Sequence, residues 1–229
     1  MLYRFIRAIA RTLFMFYFRF EATGLEHFPR EGGCIVVANH ASFLDPLLVC
    51  VAAPRVIHYI TYAYFYYHAA IHWACKRTHC IPIKREGNDV SALKQALRLL
   101  HAGEIIGIFP EGARSQSGKL MAGEPGVALI ALKAGAPIVP IGISGAYQAF
   151  PKGAHFPKPV KIRLTVGQPF RLDEQFGAGK KLTEETQRQA VRLIMSKIAA
   201  VCGEAVAPLP EAPDAQAVSL NAGSVDSGD

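Results

Sequence analysis

His40 and Asp45 stand five residues apart in the segment Asn39-His40-Ala41-Ser42-Phe43-Leu44-Asp45. A histidine can accept a proton near neutral pH. A carboxylate bonded to its far ring nitrogen fixes the tautomer and stabilises the imidazolium that forms. Five residues turn about 500° along an ideal helix, so the pair cannot share a helix face. The two can meet only if His40 lies in a turn and Asp45 in the first turn of the helix that follows. A loop histidine next to an unrelated first-turn aspartate would read the same, so this spacing alone does not decide.

Three further segments could carry chemistry. In Phe109-Pro110-Glu111-Gly112-Ala113-Arg114-Ser115, Arg114 offers the planar fork that suits a phosphate. Glu111 can hold a hydroxyl or a nearby arginine, and Gly112 permits close approach of the backbone. Lys84 and Arg85 place two cations side by side. In Ile138-Val139-Pro140-Ile141 a proline interrupts an apolar run, which predicts a locally broken ladder near the substrate. Taken singly, the first of these is a polar turn and the second a solvated basic pair.

The elements around these segments give them a common address. Continuous apolar runs at 33–38, 56–60, 80–83, 104–109, 138–143 and 161–166 read as strands buried on both faces. Helix spacing runs through Val90, Leu93, Leu97 and Leu100 towards Gly103, through 126–133 up to Gly135, and beyond a Thr183 cap through Val191, Ile194, Met195 and Ile198. Strands alternating with helices predict an α/β fold with a largely parallel central sheet flanked by helices. Asn39–Asp45, Lys84-Arg85 and 109–115 all follow predicted strands. The ends of parallel strands are where such folds place functional groups.

The first twenty residues differ from the rest. Arg4, Arg7, Arg11 and Arg19 fall within about 120° of a helical wheel, while Leu2, Phe5, Ile6, Ile9 and Leu13 lie mostly away from them. This predicts a basic amphipathic helix lying in a membrane interface, with its arginines near lipid phosphates. Packing against the body of the domain is the plainer alternative. The arginines and the bulky Phe14, Phe16, Tyr17 and Phe18 argue against a cleaved signal peptide. From residue 203 the chain is rich in Ala, Pro, Ser, Gly and Asp and reads as a disordered tail.

Composition narrows the partners. Of 229 residues, 51% are hydrophobic and 19% charged, with a net charge of +7. The pI is about 9.2 and the mean hydropathy +0.19. An apolar, basic chain suits an anionic lipid or phosphorylated substrate better than a nucleic acid. No uninterrupted apolar stretch has the length of a spanning helix. The five cysteines include no CxxC pair, which suggests reduced thiols and a cytoplasmic setting.

Together the four segments resemble the blocks of the lysophospholipid acyltransferase superfamily, in particular bacterial 1-acylglycerol-3-phosphate acyltransferases. NHxxxxD appears as Asn39–Asp45, a basic strand end as Lys84-Arg85, FPEGxRS as Phe109–Ser115 and a VPI strand as Val139–Ile141. The resemblance covers roughly residues 20–170, and the first and third blocks together are specific. It implies that His40 removes the proton of a glycerol hydroxyl while Asp45 orients it. The freed oxygen would attack the thioester of acyl-CoA or acyl carrier protein with no acyl-enzyme. It implies acceptor-phosphate binding by Lys84, Arg85, Glu111, Gly112 and Arg114, no metal, and no cofactor beyond the acyl donor as co-substrate. It also implies phosphatidic acid as product and a peripheral or monotopic enzyme on the cytoplasmic face of the inner membrane. The chain then divides into a membrane-interface helix (1–20), an acyltransferase domain (21–202) and the tail (203–229). Ala113 stands where threonine is common, and Glu124-Pro125-Gly126 lacks a lysine often found before that glycine. Lys84 makes the second block more basic than usual, and these departures leave the acceptor open among 1-acylglycerol 3-phosphate, glycerol 3-phosphate and other lysolipids.

Other readings compete. His68 and His72 at helical spacing, near Cys75 and Cys80, could suggest zinc, though the spacing matches no established pattern. With Tyr59, Tyr62, Tyr64, Phe65, Tyr66 and Tyr67 before it, this segment reads better as a lipid-interface or acyl-channel stretch. Gly142-Ile143-Ser144-Gly145-Ala146 falls one residue short of a nucleophile elbow, so a lipid-acting serine hydrolase is a second enzymatic reading. A non-enzymatic module binding anionic lipid is a third, and it would need neither His40 beside Asp45 nor the Glu111–Arg114 loop.

Overall fold

The computed structural model describes residues 2–84, 89–177 and 183–203. In chain order they form α1 (Leu2–Tyr17), β1 (Glu21–Thr23), a short 3-10 turn at Leu25–His27, β2 (Cys34–Ala38), α2 (Asp45–Ala52) and β3 (Ile57–Tyr62). Next come α3 (Ala63–Tyr66), α4 (Ala69–Arg77), β4 (Ile81–Ile83), α5 (Val90–His101) and β5 (Ile105–Ile108). The remainder is α6 (Pro125–Ala134), β6 (Ile138–Ser144), α7 (Ala146–Ala149), β7 (Arg163–Val166), α8 (Asp173–Phe176) and α9 (Glu184–Cys202). The expected tail lies outside the described residues from 204 onward.

The six apolar runs all become strands of one sheet, in the order β1-β7-β6-β2-β5-β3-β4. From β6 to β4 every neighbour is parallel. β7 turns antiparallel against β6, and β1 runs parallel to β7. Side chains alternate between two cores. Cys34, Val36 and Ala38 of β2 face one layer with Phe18, Phe20 and Leu48, and Ile35 and Val37 face the other with α5, α6 and α9. Both faces of the central strands are therefore covered, which is why they read as unbroken apolar runs.

Capping chemistry sets the helix ends. Asp89 accepts the backbone N–H of Ala92 at 3.1 Å to start α5, and Thr183 accepts that of Thr186 at 3.1 Å to start α9. Pro125 opens α6, and Gly135, at φ 56°, closes it.

Pro140 does break a ladder, and the register shows where. β6 pairs with β7 up to Ile141↔Val166 and then only through the bridge Ile138↔Phe170. The facing chain thus carries one residue more across the gap beside Pro140, and the donor that proline lacks is not needed there. The break lies mid-strand, and Ile143, nearer the strand end, is the residue that bonds the His40 segment, through Asn39.

The N-terminal helix forms as expected, but its arginines do not make one stripe. Arg19 lies beyond the helix at φ 46°, and the Arg7 guanidinium donates to the Ala53 carbonyl. Ala10 and Phe14 pack on the core. The large apolar side chains that α1 leaves to solvent include Phe5, Ile6, Ile9, Leu13 and Phe16, the last 82% exposed, and Arg11 is exposed among them. No helix among the described residues is long and apolar enough to cross a membrane.

Candidate active site

β2 sits at the centre of the sheet, with β5 on one side and β6 on the other. The chain passes to β3 and β4 on one flank, returns to β5 beside β2, and then crosses to β6. This is a topological switch point, the place where the loops after neighbouring strands diverge and leave a crevice. His40 follows β2 and the Glu111–Arg114 loop follows β5, so both segments meet at that crevice.

The His40 turn is held from within. His40 Nδ1 and Asp45 Oδ2 are 2.8 Å apart. The same oxygen accepts the backbone N–H groups of Ala41 and Ser42, each at 2.7 Å. Asp45 opens α2 with Pro46 behind it, and it is 1% exposed. The turn-then-helix arrangement demanded by the spacing is the one observed. A carboxylate only accepts hydrogen bonds, so Nδ1 carries the ring hydrogen and Nε2 is left with its lone pair. The histidine side chain is 18% exposed, enough for a ligand to reach it.

Two side chains that carried no role in the sequence reading tie this turn to the fold. Asn39, 5% exposed, donates from Nδ2 to the Ile143 carbonyl at 2.9 Å and accepts the Ile143 N–H at 2.8 Å, locking the end of β2 to the end of β6. Ser42 donates to the Phe150 carbonyl at 2.8 Å. Both lie inside the His40 motif, and their positions were the only signal available.

The two motifs are stitched to each other. The His40 N–H donates to Glu111 Oε1 at 2.6 Å, and the Ser115 N–H donates to the His40 carbonyl at 2.8 Å. Glu111 Oε2 accepts the Met121 N–H at 2.9 Å, and the residue is 5% exposed. Both Glu111 oxygens thus accept backbone donors at the seam between the loops. Gly112 has φ +67°, and a Cβ there would lie 3.0 Å from Glu124 Cγ and 3.5 Å from the Tyr62 hydroxyl. The turn itself requires the glycine.

Arg114 points back at the dyad. Its guanidinium carbon lies 3.4 Å from the centre of the Phe43 ring, a cation–π contact. Burial pulls its pKa below the ordinary guanidinium value, and the nearby Asp45 charge partly opposes this. Arg114 Nη1 and Asp45 Oδ1 are both buried without a hydrogen-bond partner. Leaving such atoms unpaired costs about 1–3 kcal/mol apiece, a cost that is relieved when a ligand supplies the partner.

Beneath the histidine runs an aromatic ladder. The His40 ring stacks on Phe109 at 4.1 Å and 22°, and Phe109 stacks on Tyr59 at 5.7 Å and 7°. Tyr59 donates its hydroxyl to the Pro46 carbonyl at 3.0 Å, beside Asp45.

Lys84 lies at the same edge of the sheet but apart from this cluster. β4 is three strands from β2, about 14 Å at the usual strand spacing. Lys84 is exposed, and its backbone N–H donates to Asp89 at 3.3 Å. Arg85 lies outside the described residues. In the histidine-rich segment, His72 Nδ1 bonds the Tyr66 carbonyl at 2.9 Å and its ring stacks near Tyr67. Among the described residues no three potential ligands gather into a metal site. Ser144 is the exposed last residue of β6, paired with Arg163.

Known proteins share this architecture. The acyltransferase family profile matches residues 19–144. The chain is 31% identical over 145 residues to a 1-acyl-sn-glycerol-3-phosphate acyltransferase of Bacillus subtilis, a match that covers 63% of this chain and 70% of that protein. It is 31% identical over 141 residues to a chloroplast 1-acyl-sn-glycerol-3-phosphate acyltransferase of Brassica napus, spanning 60% of this chain and 41% of the plant protein. The crystal structure of the 1-acyl-sn-glycerophosphate acyltransferase PlsC from Thermotoga maritima is similar with a TM-score of 0.70 and 25% identity, covering 87% of this chain and 79% of that one.

Proposed function

The chain belongs to the acyltransferase family, and from that premise we propose that it moves a fatty acyl group from acyl-CoA or acyl carrier protein to the free hydroxyl of 1-acylglycerol 3-phosphate, giving phosphatidic acid for phospholipid synthesis. The observation that carries this reading is the 2.8 Å contact between His40 Nδ1 and Asp45 Oδ2, which leaves Nε2 free to take a proton, with Arg114 resting on Phe43 of the same turn.

In this mechanism His40 Nε2 accepts the acceptor's hydroxyl proton as the oxygen attacks the thioester carbonyl carbon. Asp45 holds the ring and balances the imidazolium charge. The new C–O ester bond forms, the C–S bond breaks, and the proton passes from His40 to the departing thiolate, so no acyl-enzyme is needed. Arg114, short of one hydrogen-bond partner, takes the acceptor phosphate. Glu111 and Gly112 serve by shaping the loop that presents Arg114, Lys84 supplies positive potential along the same sheet edge, and Arg85, next to it in sequence, adds a second positive charge for the acceptor phosphate.

The apolar outer face of α1 supports a peripheral or monotopic enzyme on a membrane surface, and the thioester donors favour the cytoplasmic face of the inner membrane. Purified protein assayed with 1-acylglycerol 3-phosphate, glycerol 3-phosphate and neutral lysolipids, against both thioester donors, tests the proposal. Preferential acylation of 1-acylglycerol 3-phosphate is expected. Faster turnover of glycerol 3-phosphate would overturn the choice of acceptor.

A further inference from the structure

Phe156 lies between α7 and β7 and is 83% exposed, matched among the large apolar side chains described only by Phe16 at 82%. The residues that follow them in sequence are joined. The Tyr17 hydroxyl donates to the Pro157 carbonyl at 2.8 Å, joining the residue after Phe16 to the residue after Phe156.

The segment that carries Phe156 is closed and stiff. The Lys158 N–H donates to the Ala149 carbonyl at 2.7 Å across its base, and the Ala154 N–H donates to the Pro151 carbonyl at 3.2 Å within it. Pro151, Pro157 and Pro159 fix φ at three points. Its other end touches the dyad's motif. Phe150 accepts the Ser42 hydroxyl through its carbonyl, and its ring lies 6.3 Å from that of Phe43. One short loop therefore spans from the foot of α1 to the rim of the catalytic crevice.

Charge points to the occupant. Residues 1–20 hold four arginines and no acidic residue, and residues 145–172 hold three lysines, two arginines and no acidic residue. Lys152, His155 and Lys158 are exposed around Phe156, whereas Lys161 is engaged by Glu21 at 2.5 Å. An aromatic tip ringed by exposed basic side chains, bonded to a second acid-free apolar surface, matches the boundary of an anionic bilayer, where rings sit among headgroups and lysines among phosphates.

We propose that the 150–158 loop is a second membrane contact, inserting Phe156 into an anionic bilayer with Lys152 and Lys158 on the headgroup phosphates, and so holding the crevice mouth against the surface. This rests on the membrane reading above. Two attachments, α1 and this loop, fix the orientation of a body that a single helix would leave free to swivel.

Full-length protein is tested for co-sedimentation with vesicles of phosphatidylcholine alone and of equimolar phosphatidylcholine and phosphatidylglycerol. Phe156→Glu is expected to weaken binding to the mixed vesicles by about tenfold or more. Lys152→Glu with Lys158→Glu is expected to erase the preference for the anionic vesicles, a loss of about tenfold. Trp73 is the chain's one tryptophan, so Trp73→Phe with Phe156→Trp reports on the loop alone, and the emission of this double variant should shift to the blue on the mixed vesicles. Phe156→Glu should acylate a short-chain, monomeric acceptor at the wild-type rate, showing that fold and site are intact, and lose rate only on acceptor held in vesicles. Wild-type binding by Phe156→Glu, or an unshifted emission from the double variant, overturns the loop's role and leaves the membrane reading standing. Wild-type protein that ignores both vesicles overturns both, while acyl transfer to the monomeric acceptor would still uphold the catalytic reading.

Discussion

Asp45 Oδ2 takes three donors, one from the His40 ring and two from the backbone of the turn that carries it. Orienting the proposed base and closing the turn are thus one act of one atom. His40→Ala removes the proposed base and leaves that closure in place. It is expected to lower kcat by about 10²–10⁴-fold with a thermal midpoint near wild type, measured by steady-state assay and calorimetry. Asp45→Ala should lose comparable rate and also stability, since two buried N–H groups lose their acceptor at about 1–3 kcal/mol each. If the two variants melted alike, the shared role of Oδ2 would be wrong. Arg114 behaves differently because its Nη1 is buried and unpaired while its face rests on Phe43. Arg114→Ala is expected to raise the acceptor KM by about tenfold or more, with little change in melting, because relief of the unpaired group offsets the lost ring contact. A fall in kcat at constant KM would contradict the assignment to phosphate binding.

Among the elements, β3 contributes more to the site than its place in the sheet suggests. Tyr59 supports Phe109, Phe109 supports His40, and the Tyr59 hydroxyl returns to α2 at Pro46. The ladder spans β3, β5, the His40 turn and α2. Tyr59→Phe keeps the stack and loses the return bond, so a fall of a few-fold in kcat with unchanged KM is expected; each such bond contributes about 1 kcal/mol. Tyr59→Leu, which breaks the stack as well, should fall further. Equal rates for all three proteins would dissolve the ladder's role. Tyr59 was not legible as a site residue, because its contact with Phe109 depends on the β3–β5 register and on no local spacing. The central strands were legible because burial on both faces leaves an unbroken apolar run. β1 was not, since Glu21-Ala22-Thr23 is short, largely polar, and defined only by its partner β7. The His40–Asp45 geometry could be worked out in advance because a helix wheel excludes the alternative. Glu111 could not be placed that way: its carboxylate type suggested a ligand, and its backbone partners at His40 and Met121 appear only once two loops are brought together.

At the scale of the molecule, the parallel strands send the His40, Tyr62, Lys84 and Glu111–Arg114 segments to a single edge, and the Phe156 loop links that edge to α1. The basic, apolar composition pointed to an anionic lipid partner, but not to the surfaces that would meet it. The predicted arginine stripe gave way to a helix whose Arg7 and Phe14 face inward and whose Phe5, Leu13 and Phe16 face out. The pairing of β1 with β7 adds a matter of timing. Thr23 stands beside Thr165, 142 residues further along the chain. At about 5–20 residues per second, α1 leaves the ribosome on the order of ten seconds before β7 has been made. Throughout that interval the strand that follows α1 has no partner, and the helix has apolar area to bury. Ribosome-stalled chains ending before Arg163 should therefore pellet with anionic vesicles while still yielding to protease, and chains released after Cys202 should pellet and resist. Attachment would then precede folding, and the enzyme would assemble on the surface proposed for its work.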